Sequence, residues 1–389
     1  MVAMSVAFQQ PADSIAPAKD SVPPSHAGPR QTIVVGATTR FYRIGDSTVS
    51  ERVGGVSYIL SSSRVRLSLE GSALRYSAFS DTISGSPPGR ARLDIFPTVG
   101  DTLTLFVRTA SRPGTLDARQ TDALGNAGTS TLDLDSFQFG TPAVGGAGAA
   151  LAFPVGSLVL GVRGGLEYEP KPSGADPVYW RGTTVTGGLS LTGASGENQA
   201  TASVNLSVSS ADSLGGRNLF PGGGMLGLQI VTDIAVGNSV DELDEPWPLR
   251  VAVFYSRPFN DVRNDQPNRL VPRGSVAGGL ASLLVPVRSA VLTPSIQVVR
   301  ESSSDEVTRP LARRGIEASG WTASFGLDAS LPLGNHFELN PEAGYTTGSL
   351  GATYTQTVIG FGGRAVTTTS RFSDGIRGGW LTLELRAYF

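Results

Sequence analysis

From about residue 30 to its end, the chain alternates apolar and polar residues at every second position. Side chains of an extended strand point to opposite faces in turn, so each such run has one oily face and one polar face. Ala200, Ala202, Val204, Leu206 and Val208 oppose Thr201, Ser203, Asn205 and Ser207. Leu103, Leu105 and Val107 oppose Thr102, Thr104 and Arg108, and Leu158, Leu160, Val162, Leu166 and Tyr168 oppose Ser157, Arg163 and Glu167. Trp321, Phe325, Leu327 and Leu331 oppose Thr322, Ser324, Asp328 and Ser330, and Phe337, Leu339, Ala343 and Tyr345 oppose Glu338, Asn340, Glu342 and Thr346. Each run is about ten residues, the length with which a tilted strand crosses a bilayer. A first strand has Ile33, Val35, Ala37 and Phe41 on one side and Thr32, Thr38 and Arg40 on the other. In a third, Val65, Leu67 and Leu69 oppose Arg66 and Glu70, and a change of phase near Gly71 predicts a bulge there.

The connections follow one plan. At residues 96–101, 153–157, 285–289 and 331–335 an apolar strand end meets Pro and then a tight turn of Gly or small polar residues. Pro ends a ladder because it lacks an N–H, and Gly supplies positive φ. Two further turns are expected at 192–198 and 236–238. Longer polar segments fall between them, at 80–90, 111–141, 169–177, 210–222, 260–273, 301–315 and 350–375. Short turns alternating with long loops predict about 14 to 16 antiparallel strands, the turns on the periplasmic side and the loops outside.

Composition agrees where it bears on this. The 49 Gly and 25 Pro disfavour helices almost everywhere, and only 16% of residues are charged. The uncharged stretch 136–162 is long enough for a membrane helix, but Pro142, Pro154 and six glycines break it, so strands are expected there too. A mean hydropathy of zero excludes a helical membrane bundle. The net charge of -2 and the lack of a basic cluster give no reason to expect nucleic acid. With no Cys, disulfides and thiolate chemistry are excluded, and no cofactor is expected.

Residues 1–7 end in Ser5-Val6-Ala7, small at the two positions a signal peptidase reads, and are expected to be either the remnant of a signal peptide or an ordinary terminal segment. Residues 8–30, with Pro11, Pro17, Pro23, Pro24 and Pro29, read as a Pro-rich periplasmic tether, and 31–389 as the barrel.

The final nine residues place Leu381, Leu383, Leu385, Ala387 and Phe389 on one face, and Thr382, Glu384, Arg386 and Tyr388 on the other. This ending resembles the C-terminal assembly signal of Gram-negative outer-membrane β-barrels, although the second aromatic, Tyr388, stands beside the terminal Phe rather than two positions before it. The resemblance, to outer-membrane channel proteins as a broad class, implies an all-β transmembrane barrel in the outer membrane of a Gram-negative bacterium. The partners it implies are membrane lipid, lipopolysaccharide and the barrel-assembly machinery.

If the oily faces meet lipid, the opposite faces line a lumen holding Arg66, Glu70, Arg108, Arg163, Glu167, Asp233, Asp328, Glu338, Glu342, Glu384 and Arg386. Mixed charge and hydroxyls suit a hydrated passage for small solutes. The bland alternative is that these charges pair as structural salt bridges around a narrow pore. A transporter of hydrophobic compounds, similar to the long-chain fatty-acid channels, would need an inward apolar lining from Phe106, Val159, Val231, Phe254 and Leu283. A structural or adhesive barrel with a closed lumen and a secreted soluble β-protein complete the alternatives. Catalysis is not expected, since His26 lies in the tether and His336 beside a periplasmic turn, with no Ser partner evident. Asp241, Glu242, Asp244 and Glu245 lack the spacing of a Ca²⁺ loop and read as a solvated loop. Arg309, Arg313 and Arg314 read as part of a solvated outer loop, with contact to lipopolysaccharide phosphates as the sharper alternative, and 111–141 is long enough to fold into the lumen, its segment 115–124 able to form a short helix.

Overall fold

The computed structural model describes residues 30–78, 81–85, 89–98, 100–109, 143–168, 183–209, 223–236, 247–260, 273–309, 312–359 and 365–389. The described residues are strands joined by short turns. In chain order they are β1 (Arg30–Ile44), β2 (Ser47–Ser61), β3 (Val65–Ala78), β4 (Asp81–Gly85 with Arg90–Ile95), β5 (Thr102–Thr109), β6 (Ala143–Val155), β7 (Leu158–Tyr168) and β8 (Thr183–Ser195). They continue with β9 (Asn198–Ser209), β10 (Gly223–Val236), β11 (Trp247–Asn260), β12 (Arg273–Leu283 with Val285–Val287), β13 (Ala290–Arg309), β14 (Ala312–Pro332), β15 (Phe337–Ile359) and β16 (Ala365–Tyr388). Two strands are each interrupted once, so the 18 strand segments among the described residues make sixteen strands.

Every strand pairs antiparallel with its neighbours in sequence, and β1 pairs with β16 from Thr32↔Tyr388 to Ile44↔Ile376, which closes the sheet into a barrel. The seam is completed by reciprocal backbone bonds, Gln31 N–H to Phe389 O at 3.1 Å and Phe389 N–H to Gln31 O at 2.9 Å. Closure leaves no edge along the seam for another strand to join.

The registers fix the barrel's size. Directly paired residues lead around the wall from Arg30 through Ser61, Arg66, Asp94, Thr104, Gly148, Gly165, Thr186 and Ser207, and on by way of Ala318 and Ala352 to Phe372. Phe372 lies four positions beyond Ile376, the partner of Ile44, so the circuit returns to β1 about 18 residues above its start. For sixteen strands that stagger corresponds to a tilt of about 38° and a backbone radius of about 15 Å.

The periplasmic turns fall where Pro and Gly predict them, between β4 and β5, β6 and β7, β8 and β9, β12 and β13, and β14 and β15. Three are two-residue turns, and in two of them, Gly156-Ser157 and Gly196-Glu197, glycine takes the positive φ, 63° and 59°, a conformation that costs it nothing. In the equivalent turn between β12 and β13 that conformation falls to Arg288, at φ 57°. One turn, Ser62 to Arg64, went unrecognised because it holds neither Pro nor Gly; the Ser62 hydroxyl there accepts from the Arg64 and Val65 N–H groups.

Three expectations are corrected. The predicted bulge at Gly71 is absent, and β2 and β3 stay in one register from Val49↔Ala78 to Ser61↔Arg66. The one-residue step lies in the partner strand, between Gly85, opposite Leu74, and Arg90, opposite Glu70. Residues 301–309, 312–315, 350–359 and 365–375, expected in loops, are strand. β13 to β16 run for 20, 21, 23 and 24 residues, double the expected length, and carry that side of the barrel far above the rest. Part of 80–90 is likewise strand. The proposed inward loop at 111–141, the acidic cluster 241–245 and segment 1–29 lie outside the described residues. Arg309, Arg313 and Arg314 sit at the ends of the β13–β14 hairpin, with side chains outside the described set.

Candidate functional site: the inner wall

The two faces of the wall differ sharply. Val35, Leu105, Leu189, Leu327 and Leu383 belong to one parity and are roughly half exposed, although the chain around them is fully paired. The other parity holds Thr38, Asp94, Thr104, Glu167, Thr184 and Thr346, all buried by the crowding of side chains on a concave surface. The apolar face is outside.

Most aromatic residues on that outer face, Tyr58 and Phe325 apart, sort by height. Once the stagger is allowed for, Phe153, Trp247, Phe337 and Phe389 fall within about one residue of a common level near the periplasmic end. Phe41, Tyr168, Tyr255, Trp321 and Tyr345 form a second belt about 20–30 Å higher. Two aromatic belts bounding an apolar band about 25 Å tall are what a lipid bilayer demands of a barrel surface. The chain is a membrane-spanning β-barrel.

The inner wall of this barrel carries the charge. Register places all eleven residues of the sequence-based set on the polar parity: Arg66 and Glu70 on β3, Arg108 on β5, Arg163 and Glu167 on β7, Asp233 on β10, Asp328 on β14, Glu338 and Glu342 on β15, and Glu384 and Arg386 on β16. The Arg108 side chain lies outside the described set. Arg250 on β11 grips Asp233 with two bonds, Nε to Oδ1 at 2.7 Å and a second guanidinium nitrogen to Oδ2 at 3.0 Å. Arg386 Nε donates to Glu384 Oε1 at 2.8 Å, and Glu338 accepts from the hydroxyls of Ser330, at 2.9 Å, and Tyr388. Arg163 reaches over Gly188 to Asn205 Oδ1 at 2.7 Å; a Cβ on Gly188 would come within 2.8 Å of the arginine Nε.

Several partners were not in the sequence-based set. Arg92 donates to both oxygens of Asp94 at 3.0 and 2.9 Å, and Thr104 donates to Asp94 Oδ1 at 2.6 Å. Arg40 faces Glu51 at 3.5 Å. The signal for Arg92 and Asp94 was present, since Arg90, Arg92 and Asp94 alternate with Ala91, Leu93 and Ile95, but the run is only six residues long. Trp380 was hidden by the opposite problem, a large aromatic residue standing on the polar parity between Gly379 and Leu381.

Of the inward apolar residues expected for a hydrophobic transporter, Phe106, Val159, Val231 and Phe254 have the inward parity. Leu283 does not. It pairs with Leu249 on the lipid side, because the β11–β12 register puts Ser282 opposite Arg250. Four inner aromatics share a device: Phe106 stands over Gly146, Phe254 over Gly278, Trp380 over Gly344 and Tyr42 over Gly378, each directly across the strand pair. The ring covers backbone that glycine would leave bare and lies along the wall. His336 is at the β14–β15 turn, its Nδ1 3.1 Å from Tyr388 O, outside the lumen wall.

No protein-family model and no curated protein matches the chain. Solved structures similar to it include OmpT, an outer membrane protein of Vibrio cholerae folded in vitro, at 11% identity over 95% of this chain and 100% of that one, with a TM-score of 0.40. Others are OccK5 (OpdH) of Pseudomonas aeruginosa, at 9% identity over 93% and 98% of the two chains and a TM-score of 0.40, and OccK2 (OpdF) of the same organism in complex with glucuronate, at 8%, 93%, 98% and 0.36.

Proposed function

We propose that the barrel is a channel for passive diffusion of small solutes through a hydrated, mixed-charge lumen, without catalytic activity. The lumen-lining set is the one named above, enlarged by Arg40, Glu51, Arg92, Asp94 and Arg250. The observation that supports this is the direction of the ion pairs. Those between Arg40 and Glu51, Arg92 and Asp94, Arg250 and Asp233, and Arg386 and Glu384 all lie within one strand or between adjacent strands. Charges neutralised along the wall need no partner across the axis, and a radius of about 15 Å leaves room for water between opposed side chains. Lipid and lipopolysaccharide are the outer partners in this reading, and the β16 face of Leu381, Leu383, Leu385, Ala387 and Phe389 is the assembly signal. The test is electrical. Purified protein in planar bilayers gives discrete conductance steps in KCl; a folded, heat-modifiable barrel that never opens one would remove the reading in favour of a closed structural barrel.

A further inference from the structure

β13 to β16 rise above the rest of the wall as a four-stranded extension, and its two edges differ. On the β13 side, pairing with β12 ends at Arg273↔Ser304, and the short edge above it, 305–309, holds Asp305, Glu306 and Arg309. Charges at this density keep an edge strand from being joined. On the β16 side, pairing with β1 ends at Ile44↔Ile376. The edge above it runs on through 365–374, rich in Thr, without Pro or Lys, and charged only at Arg371 and Asp374. Residues 365–373 are exposed on both parities. β1 and β2 stop at Ile44 and Ser47, so among the described residues no strand stands beside this edge.

The direction of its hydrogen-bonding groups follows from the seam. Phe389 exchanges both backbone bonds with Gln31, and Gly375 O accepts from Gly45 N–H at 3.2 Å, so the odd-numbered residues of β16 turn toward β1. Ala365, Thr367, Thr369, Arg371 and Ser373 therefore aim N–H and C=O groups at no described partner, in a row that an extended chain matches. The edge's own sequence is such a match. In an antiparallel register centred on Thr369, Thr367 stands opposite Arg371 and Ala365 opposite Ser373 of a second copy, and every one of these groups is paired. Side-chain parity is matched too. Val366 and Phe372, 59% and 50% exposed, come opposite each other on one face, beside Thr368 opposite Ser370.

Symmetry decides where the second copy sits. Two barrels in one membrane are related by a two-fold along its normal, which would cross strands tilted by about 38° at about 76° and prevent pairing. A two-fold perpendicular to the sheet keeps the strands collinear and turns the second barrel upside down. We propose that the β16 edge pairs with the same edge of a second copy seated in a facing membrane, forming a contact between two membranes. Thr369 stands ten positions above Gly379, the partner of Phe41 and Tyr345 in the upper belt, so the two upper belts are held about 55 Å apart. The contact does not depend on whether the lumen conducts.

The test uses the full chain, one barrel per lipid nanodisc with both ends open to solvent, and exploits the absence of native Cys. Thr369→Cys sets two thiols opposite each other at a Cα separation of about 5.5 Å, within disulfide reach, and mild oxidation links the discs in pairs. Ala365→Cys, equally exposed, links only when mixed with Ser373→Cys. Added to Thr369→Cys, Thr367→Pro removes an edge N–H and no backbone bond of the barrel, while Thr367→Arg faces Arg371 of the second copy; each abolishes the link. Heat-modifiable migration checks that every variant is folded, and electron microscopy shows linked discs face to face. The proposal is overturned by linking as strong at Ala365→Cys alone as at Thr369→Cys, by linking that survives both Thr367 variants, or by discs joined in another arrangement. Thr369→Cys discs that never link overturn it too, and if they bind a Thr-Val repeat peptide the edge belongs to another polypeptide.

Discussion

The indole N–H of Trp380 donates to Glu342 Oε1 at 2.7 Å, while its six-membered ring stands over Gly344, where a Cβ would fall 2.1 Å from Cζ2. One side chain thereby covers bare backbone and fixes a wall carboxylate. Gly344→Ala must push the ring off the wall and break the bond to Glu342, at a cost of about 1–3 kcal/mol. Denaturant unfolding of the reconstituted barrel measures the loss. Glu342→Gln, which keeps an acceptor and the ring's seat, is expected to cost less.

Asp233 and Arg250 form a two-bond pair whose side chains keep 25% and 16% of their exposure, so water screens part of the attraction. Asp233→Asn leaves the guanidinium charge unopposed on the inner wall and shifts the reversal potential in a KCl gradient toward anions. Arg250→Gln shifts it toward cations. The double-mutant cycle for stability gives a coupling of about 1 kcal/mol.

Asp101 in the β4–β5 turn accepts the Thr98 hydroxyl and, at 3.1 Å, the Ala152 N–H, tying that turn to β6. These two bonds hold its carboxyl below the ordinary carboxylate value, the Thr98 bond contributing most. Because the folded value lies below the unfolded one, the stabilisation is present above the unfolded carboxylate range and is lost as pH falls through the folded value. Unfolding midpoints measured across the acid range therefore fall less steeply for Asp101→Asn than for wild type, and Thr98→Val behaves in the same direction.

The lipid band has a sharper consequence. Leu383 faces outward near mid-bilayer, so Leu383→Arg costs about 2–4 kcal/mol, whereas Thr369→Arg, of the same parity on the same strand but above the belt, changes stability by less than about 0.5 kcal/mol. Equilibrium folding into vesicles distinguishes the two.

Most of the barrel was legible from side-chain parity, because lipid and water impose opposite demands on neighbouring positions of one strand. Runs such as 102–108 and 198–208 needed no tertiary knowledge. The extension was not legible for the same reason. At the membrane surface the apolar residues move from the outward to the inward parity, so Leu350, Tyr354, Phe372 and Ile376 break the alternation that betrays a strand, and the Thr- and Ser-rich remainder reads as loop. The Gly71 phase change was no step in register: β3 keeps one pairing with β2, which places Leu74 and Tyr76 opposite Val53 and Glu51 on the inward parity, so apolar residues change sides there without a bulge. Among the wall charges, polarity and parity gave positions, but partners such as Arg250 for Asp233 depend on cross-strand register, which no single run contains.

The most direct test of the two-solvent account is a cysteine scan. The chain has no native Cys, so single substitutions from residue 366 to residue 388 report without background. With the barrel in liposomes, a membrane-impermeant maleimide should label Thr382, Glu384 and Arg386 positions readily and Leu381, Leu383 and Leu385 positions poorly, and above Arg377 both parities should react. Uniform labelling of residues 381–386, or alternation that persists unchanged through residue 366, would contradict a wall whose outward face meets lipid only below the upper aromatic belt.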